Sequence, residues 1–459
     1  MGSVGRFVAF SGLLVIAYFF LKSSKIPPVP TIEETWWGPG SPKKEDATIK
    51  PFKINVPDEV IADLENRLNT ALPFQEPLED AKQHYGINTK LLTTIVDYWK
   101  TKYNWKKRQE FLNQFPQYQT QIQGLNIHFL HVKPKNVPQG VEVLPLLLLH
   151  GWPGSVREFY EIIPILTTPQ KGKDFVFEVI APSLPGYGFS DGASKQGLHA
   201  GVMGQIFDKL MRRLKFSKYY LQGGDWGSLI AQDMSVLYAD RVIGVHSNMC
   251  NTQNALGNLQ LFVGAWFPSL ALDKTEAERN TPLSSFYGNI LLESGYMHLQ
   301  ATKPDTVGVA LSDSPVGLAA YIIEKFTTWT NPAWKDLEDG GLTKKYTLDK
   351  LLDNVMIYWV SRSITTSVRL YLENFSATRR NLDLDSIPIT VPSGCSRFKH
   401  ELIYPIKAVL KGRYKQLISV DDHDDGGHFA AFELPEVLAK DVFNFVQKVR
   451  ALPKQKQEL

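Results

Sequence analysis

Residues 219–232 read YYLQGGDWGSLIAQ. A short apolar run ends in Gly223 and Gly224; Asp225, Trp226 and Gly227 follow, and a helix-like segment begins at once. Small–x–Asp–x–small suits a sharp strand-to-helix corner that carries a nucleophile, where strand and helix come close and the backbone is strained. An aspartate that merely caps a helix looks the same locally. A second stretch, HGWPGS (His150 to Ser155), also follows an apolar run, and its loop can carry an oxyanion-binding amide. The backbone N–H groups of Trp152 and Trp226 are the candidates. Pro153 could hold a cis bond there, and His150 reads as structural. A third stretch, DDHDDGGHFAAFELPE, follows the strand-like YKQLISV and supplies His428 as a base. His423 is its rival, in an acidic run that reads as a solvated loop. For the orienting acid, Asp421, Asp422, Asp424 and Asp425 lie too close to the histidine to belong to a separate strand end. Glu401, after the strand-like IPITVPSGCSRF, is better placed. Asp225, Glu401 and His428 then run in the chain order nucleophile, acid, histidine.

From about residue 141, apolar strands alternate with helical segments such as GQIFDKLMRRLKF. That alternation predicts an α/β fold with a mostly parallel sheet covered on both faces. The Gly-rich turns fall at the carboxyl ends of the strands, where such sheets carry their sites. A helical lid, rich in aromatics, should lie between the sheet's two halves at about 246–385, with 141–245 and 386–459 as the two parts of one core. Its Trp266, Phe267, Phe286, Tyr287, Trp329, Trp334 and Trp359 could line an apolar pocket, although most are better read as packing within the lid. Residues 51–140 read as mostly helical and wrap the core: PDEVIADLENRLNTA and NTKLLTTIVDYWKTKYNW are amphipathic, while IQGLNIHFLHV alternates like a hairpin strand. Residues 25–50, rich in Pro, Gly and charge, read as a linker.

The 459 residues, 43% of them hydrophobic, can bury a large core. A net charge of +3 without basic stripes argues against a nucleic-acid partner. The two cysteines, Cys250 and Cys395, favour a reducing compartment or a fold that does not rely on disulfides. The charge-free run from Phe7 to Leu21 lacks a small–x–small cleavage site, so residues 1–24 are expected to form a retained single-span anchor. Basic residues flank it on both sides and leave its orientation open. Trp36 and Trp37 suit a membrane interface or packing on the body equally well.

With these motifs the chain resembles the epoxide hydrolases of the α/β-hydrolase fold, and among them the microsomal type. The resemblance runs from the N-terminal anchor through HGWPGS, GGDWGS and ESGYMHLQATKPDTVG to GGHFAAFELPE. It implies Asp225 as nucleophile, His428 as base, Glu401 as orienting acid, and two lid tyrosines that protonate the epoxide oxygen. They match Tyr296 in ESGYMHLQ and Tyr371 in SVRLYLENF, with Tyr358 as a possible confusion among 18 tyrosines. The chemistry accounts for the aspartate. An epoxide has no carbonyl, and a carboxylate can open its carbon from behind without first losing a proton. The resulting ester is hydrolysed by a water that His428 deprotonates. No metal or organic cofactor is needed. The overall texture is similar to the insect juvenile hormone group, which implies a lipophilic hormone epoxide as substrate. The resemblance also implies an endoplasmic reticulum (microsomal) membrane location with a cytosolic body. A broad xenobiotic epoxide hydrolase, a haloalkane dehalogenase, an ester hydrolase and a non-catalytic hormone-binding protein are the alternatives. Asn374-Phe375-Ser376 is a glycosylation sequon that would matter only for a luminal body.

Overall fold

The computed structural model describes residues 26–252 and 255–453. The Phe7–Leu21 stretch lies outside them, and among the described residues no single helix is long and apolar enough to cross a membrane.

Among the described residues, nine strands form one sheet in the order β1-β2-β3-β5-β4-β6-β7-β8-β9. They are β1 (Lys50–Phe52), β2 (Gln117–Ile122), β3 (Leu125–Val132), β4 (Glu142–Leu149), β5 (Phe175–Pro182), β6 (Tyr219–Gly223), β7 (Val242–Ser247), β8 (Ile389–Phe398) and β9 (Tyr414–His423). From β5 across to β9 every pairing is parallel. The reason is visible in β4, whose Leu146 to Leu149 are all buried; such a run needs cover on both faces. The Ala200–Arg213, Asp225–Leu237 and Pro435–Arg450 helices bury apolar residues against the sheet. The chain leaves β4 for β5 on one side and then returns to β6 on the other, so a crevice opens beyond the carboxyl ends of β4 and β6.

The segment before residue 141 does more than wrap. Its Asp58–Asn69, Thr89–Thr101 and Trp105–Leu112 helices lie outside the sheet, but β1, β2 and β3 extend the sheet by three antiparallel strands. The β2–β3 hairpin turns on Gln123 and Gly124, both at positive φ, which matches the twist of the flanking strands. The expected linker is also packed: Trp37 is buried, its backbone N–H donates to the Gln123 carbonyl, and its indole N–H donates to the Gln123 side chain. Its aromatic and apolar residues find partners on the hairpin, which outweighs a composition typical of loops. Between β7 and β8 lies a helical insertion, from Ala255–Trp266 to Ala377–Asn381.

Cys250 and Cys395 are joined by a disulfide. The two cysteines, expected in a reducing compartment or in a fold that does not rely on disulfides, meet because β7 and β8 are neighbours that pair Ser247 with Cys395, which brings together residues 145 apart in sequence.

Candidate active site

Asp225 opens the Asp225–Leu237 helix directly after β6, and its φ of 47° lies in the left-handed region. The flanking glycines are obligatory. A Cβ on Gly223 would stand 2.5 Å from the Gly227 carbonyl, and one on Gly227 would stand 2.0 Å from the Leu149 carbonyl oxygen. The strand-to-helix corner therefore closes only with glycine at both positions.

The Asp225 carboxylate has two distinct oxygens. Oδ1 accepts the Trp152 N–H at 2.7 Å, and the Trp226 amide also bonds the carboxylate. Oδ2 lies 3.6 Å from His428 Nε2. On the other side of the imidazole, Nδ1–H donates to Glu401 Oε1 at 2.8 Å, and Oε1 is itself held by the Leu402 N–H at 2.7 Å. All three groups sit at the crevice, and Glu401 and His428 are buried. Burial raises the Asp225 pKa, against the opposing pull of His428 and the two amides. Burial also works against a charged His428, but Glu401, Asp225 and Glu158 together outweigh it and lift the imidazole to about 9.

The two glycines before His428 serve its placement. Gly426 has a φ of 84°, and a Cβ on Gly427 would stand 2.4 Å from the Trp329 carbonyl oxygen. The His428 N–H donates to that same carbonyl at 2.9 Å. Glu433 closes the turn by accepting the N–H groups of Gly427 at 2.8 Å and Phe429 at 2.9 Å. Burial pushes its pKa up to about 8. Sequence reading passed over Glu433, although its place five residues after the histidine in GGHFAAFE was visible.

Tyr296 and Tyr371 come from two helices of the insertion, Gly295–Thr302 and Ile364–Asn374. Tyr296 stacks on the Trp152 ring with centroids 5.4 Å apart. Tyr371 meets Trp226 edge-on at 4.7 Å, and the two tyrosine rings are 5.9 Å apart. The pair thus rests on the two residues whose amides hold Asp225. Burial raises both phenol pKa values, with the Asp225 charge adding to it. Tyr358 lies elsewhere: its hydroxyl donates to the Gly154 carbonyl at 2.6 Å. With Asn354, whose amide donates to the Pro153 carbonyl at 2.7 Å, it pins the loop that presents Trp152. The Trp152–Pro153 bond in that loop is cis.

The remaining candidates take other parts. His423 binds Asp441 at 2.5 Å, and His150 is buried beside Tyr187, its Nδ1 against the Gly151 carbonyl and its Nε2 accepting the Leu184 N–H. Asp422 is not in a solvated loop but lies on β9, paired with Arg397. Trp266 and Phe267 are exposed, whereas Trp329 is buried against His428 and Tyr296. Asn374 is taken up internally, accepting the Ala200 N–H and donating to the Leu370 carbonyl.

Residues 49–159 match the family described as epoxide hydrolase N terminus, and residues 145–381 match the alpha/beta hydrolase fold family. The chain is 49% identical to juvenile hormone epoxide hydrolase 1 of Ctenocephalides felis over 100% of its own length and 98% of that protein. It is 45% identical to epoxide hydrolase 1 of Sus scrofa, covering 94% of this chain and 96% of that one. The crystal structure of juvenile hormone epoxide hydrolase from the silkworm Bombyx mori superposes with a TM-score of 0.89 at 51% identity, over 91% of this chain and 98% of that chain. An epoxide hydrolase from Aspergillus niger superposes with a TM-score of 0.71 at 28% identity, over 93% of this chain and 99% of that one. With an aspartate at the strand-to-helix corner and relatives that match along its whole length, this chain belongs to the epoxide hydrolases of the α/β-hydrolase fold.

Proposed function

We propose that the chain hydrolyses juvenile hormone, or a lipophilic epoxide close to it, to the vicinal diol through an alkyl ester on Asp225. The observation that carries this reading is similarity at about half identity to juvenile hormone epoxide hydrolases over the full chain. The epoxide lies between Asp225 and the tyrosine pair, under the helical insertion acting as a lid. Asp225 attacks one epoxide carbon in line with the breaking C–O bond. Tyr296 and Tyr371 hydrogen-bond the departing oxygen and deliver the proton it needs. The oxygen that accepts the Trp152 N–H becomes the ester carbonyl, with the Trp226 amide also bonding the carboxylate, so charge that builds there in the second step is already met by a donor.

The charges order the two steps. With Asp225 ionised, His428 is held protonated, up to about 9. Esterification removes the Asp225 charge, one of the groups that raise His428, and its pKa falls. Glu401, the larger of the groups that raise it, stays in place, so esterification shifts the imidazole toward the neutral form that can act as a base. Glu401 holds its Nδ1–H and stabilises the imidazolium as it forms.

The Phe7–Leu21 segment is the proposed anchor, in the endoplasmic reticulum membrane, which suits a substrate that partitions into lipid. Few cysteines cannot place the body in the cytosol once Cys250 and Cys395 are joined, since a bridge is at home in an oxidising compartment. Protease protection in intact microsomes decides the face. The second reading, a broad xenobiotic epoxide hydrolase, draws support from the epoxide hydrolase 1 of Sus scrofa.

The test is mass spectrometry of His428→Gln mixed with juvenile hormone. The ester should accumulate on the peptide bearing Asp225 and vanish in a further Asp225→Asn change. Wild-type turnover without any adduct in the variant would overturn the mechanism. Equal kcat/KM for juvenile hormone and simple aryl epoxides would favour the second reading.

A further inference from the structure

Beside Asp225 is a small cavity, with about 20 Å³ open to the centres of water molecules, which is room for one. Its lining includes Glu158, Gln222, Asp225, Asn248, His428 and Phe429. Among the described residues, none of the helices between β7 and β8 lines it, and neither do Tyr296 and Tyr371. The cavity therefore belongs to the core, while the tyrosine pair belongs to the insertion. Resting on the ester mechanism above, we propose that Glu158 holds the hydrolytic water in this cavity, so that water and epoxide reach Asp225 from different sides.

Glu158 has no part in the steps described so far, yet the loop is built around its carboxyl. A Cβ on Gly154 would stand 1.4 Å from Glu158 Oε1, so position 154 must be glycine for the carboxyl to lie where it does. The Val156–Phe159 turn sets it there, capped by the Ser155 side chain. Two acids, Asp225 and Glu433, and the His428 cation face Glu158. Burial first, then those two acids, push its pKa up to about 8 against the opposing pull of His428. At neutral pH it is a neutral acid. It can accept a hydrogen bond from water without adding a further negative charge next to the nucleophile.

The arrangement completes the second step. A water in the cavity gives one hydrogen to the Glu158 carbonyl oxygen and the other to His428 Nε2, which turns a lone pair toward Asp225 Cγ. The new O–Cγ bond forms as the proton passes to His428, and the C=O pair moves onto the oxygen that accepts the Trp152 N–H. Collapse breaks the bond from Cγ to the alkyl oxygen, and His428 gives its proton to that oxygen. The Asp225 acid so formed passes its proton to His428 and restores the resting pair, and the proton that His428 shed on esterification restores the donor tyrosine. Glu158 keeps its own proton throughout.

The experiment is rapid-quench single turnover of full-length protein with juvenile hormone, following the Asp225 adduct by mass spectrometry. In Glu158→Leu, adduct formation should stay within about threefold of wild type while its decay slows by about 10- to 100-fold. Glu158→Gln retains a carbonyl acceptor and should recover most of the decay rate. It should also lose the inflection that ionisation of Glu158 places in the wild-type decay near pH 8. Equal slowing of formation and decay in Glu158→Leu, or unchanged decay, overturns the proposal. Should Glu158→Leu fail to fold, an unaltered pH profile of decay in Glu158→Gln does the same. His428→Gln separates the two readings: an adduct there with normal decay in the Glu158 variants refutes the water site alone, whereas no adduct refutes the ester mechanism.

Discussion

Asp353 offers the sharpest test of what holds the site in shape. It sits on the Leu348–Ser361 helix of the insertion and is fully buried. Its carboxylate accepts from Tyr103 at 3.0 Å, from Arg108 Nε at 2.8 Å and from Arg157 Nε at 2.9 Å, with a further bond from the Arg108 Nη2. Tyr103 and Arg108 belong to the N-terminal segment, and Arg157 belongs to the loop that follows Trp152. One carboxylate thus ties together all three parts of the molecule. Asp353→Asn keeps the size and removes the charge. Arg157, itself buried, would be left with Glu161 alone, which it binds at 2.9 and 3.0 Å. Breaking a buried ion pair from one side costs about 3–5 kcal/mol. That is a large share of the roughly 5–15 kcal/mol by which proteins are stable. Urea unfolding of wild type and variant at pH 7 measures it. A loss below about 1 kcal/mol would refute the claim that this cluster joins the three parts, since the guanidinium groups would then have found water or other acceptors. A second readout is catalytic. Asn354 and Tyr358, on the same helix, bond the Pro153 and Gly154 carbonyls, so a shifted helix should slow adduct formation as well.

Other perturbations follow from single contacts. Gly227→Ala drives a methyl into the Leu149 carbonyl at 2.0 Å, a backbone atom that cannot move alone; a loss of about 1–3 kcal/mol or more and of about 100-fold in kcat/KM is expected from thermal melts and initial rates. Tyr296→Phe and Tyr371→Phe should each slow adduct formation without slowing its decay, and the double change should do so more; quenched-flow rates check it. Glu158 and Glu433 have folded pKa values raised from 4.5 to about 8, so the folded protein keeps protons that the unfolded chain releases. Stability therefore falls as pH rises between those values, by at most about 1.4 kcal/mol per unit per group. In Glu158→Gln the melting temperature should gain on wild type as pH increases through that window. Reducing the Cys250–Cys395 bridge should lower stability by about 2–4 kcal/mol, read as a shift in the urea midpoint with and without a thiol.

The nucleophile corner and the histidine turn were legible because local geometry dictates them. Gly223, Gly227, Gly426 and Gly427 each lie where a Cβ would strike backbone or a ring, or where φ is positive, and such constraints leave a mark within a few residues. The parallel sheet was legible for a similar reason, since strands buried on both faces read as unbroken apolar runs. What joins distant parts of the chain left no such mark. Asp353 and Arg157 are 196 residues apart, and each looks like an ordinary surface charge in its own helix or turn. Cys250 and Cys395 became partners only through the adjacency of β7 and β8. The segment 25–50 is mostly exposed and irregular, as its composition suggests, but composition reports only the average environment of a stretch and hides the buried Trp37. Tyr371 could not be picked out by its surroundings in sequence; its place against Trp226 depends on how the insertion folds back over the sheet.

The most crowded feature of the site is its acids. Asp225, Glu401, Glu158 and Glu433 all act on or near one imidazole, and a single cation cannot balance four buried carboxylates. The fold resolves this by environment. Glu433 spends its carboxyl on two backbone N–H groups, and Glu158 faces a cavity that holds no more than about one water; both are driven up to about 8 and are neutral where Asp225 must be charged. Two amides and the imidazolium remain to favour the ionised form of Asp225 against burial. On the proposed mechanism the nucleophile is thereby poorly solvated and reactive, and Glu401 is the main charge acting on His428. When the ester forms, the site loses the one charge that matters to both steps. On the proposed mechanism the same loss that ends the attack on the epoxide also lowers the pKa of the histidine, while the larger support from Glu401 stays in place.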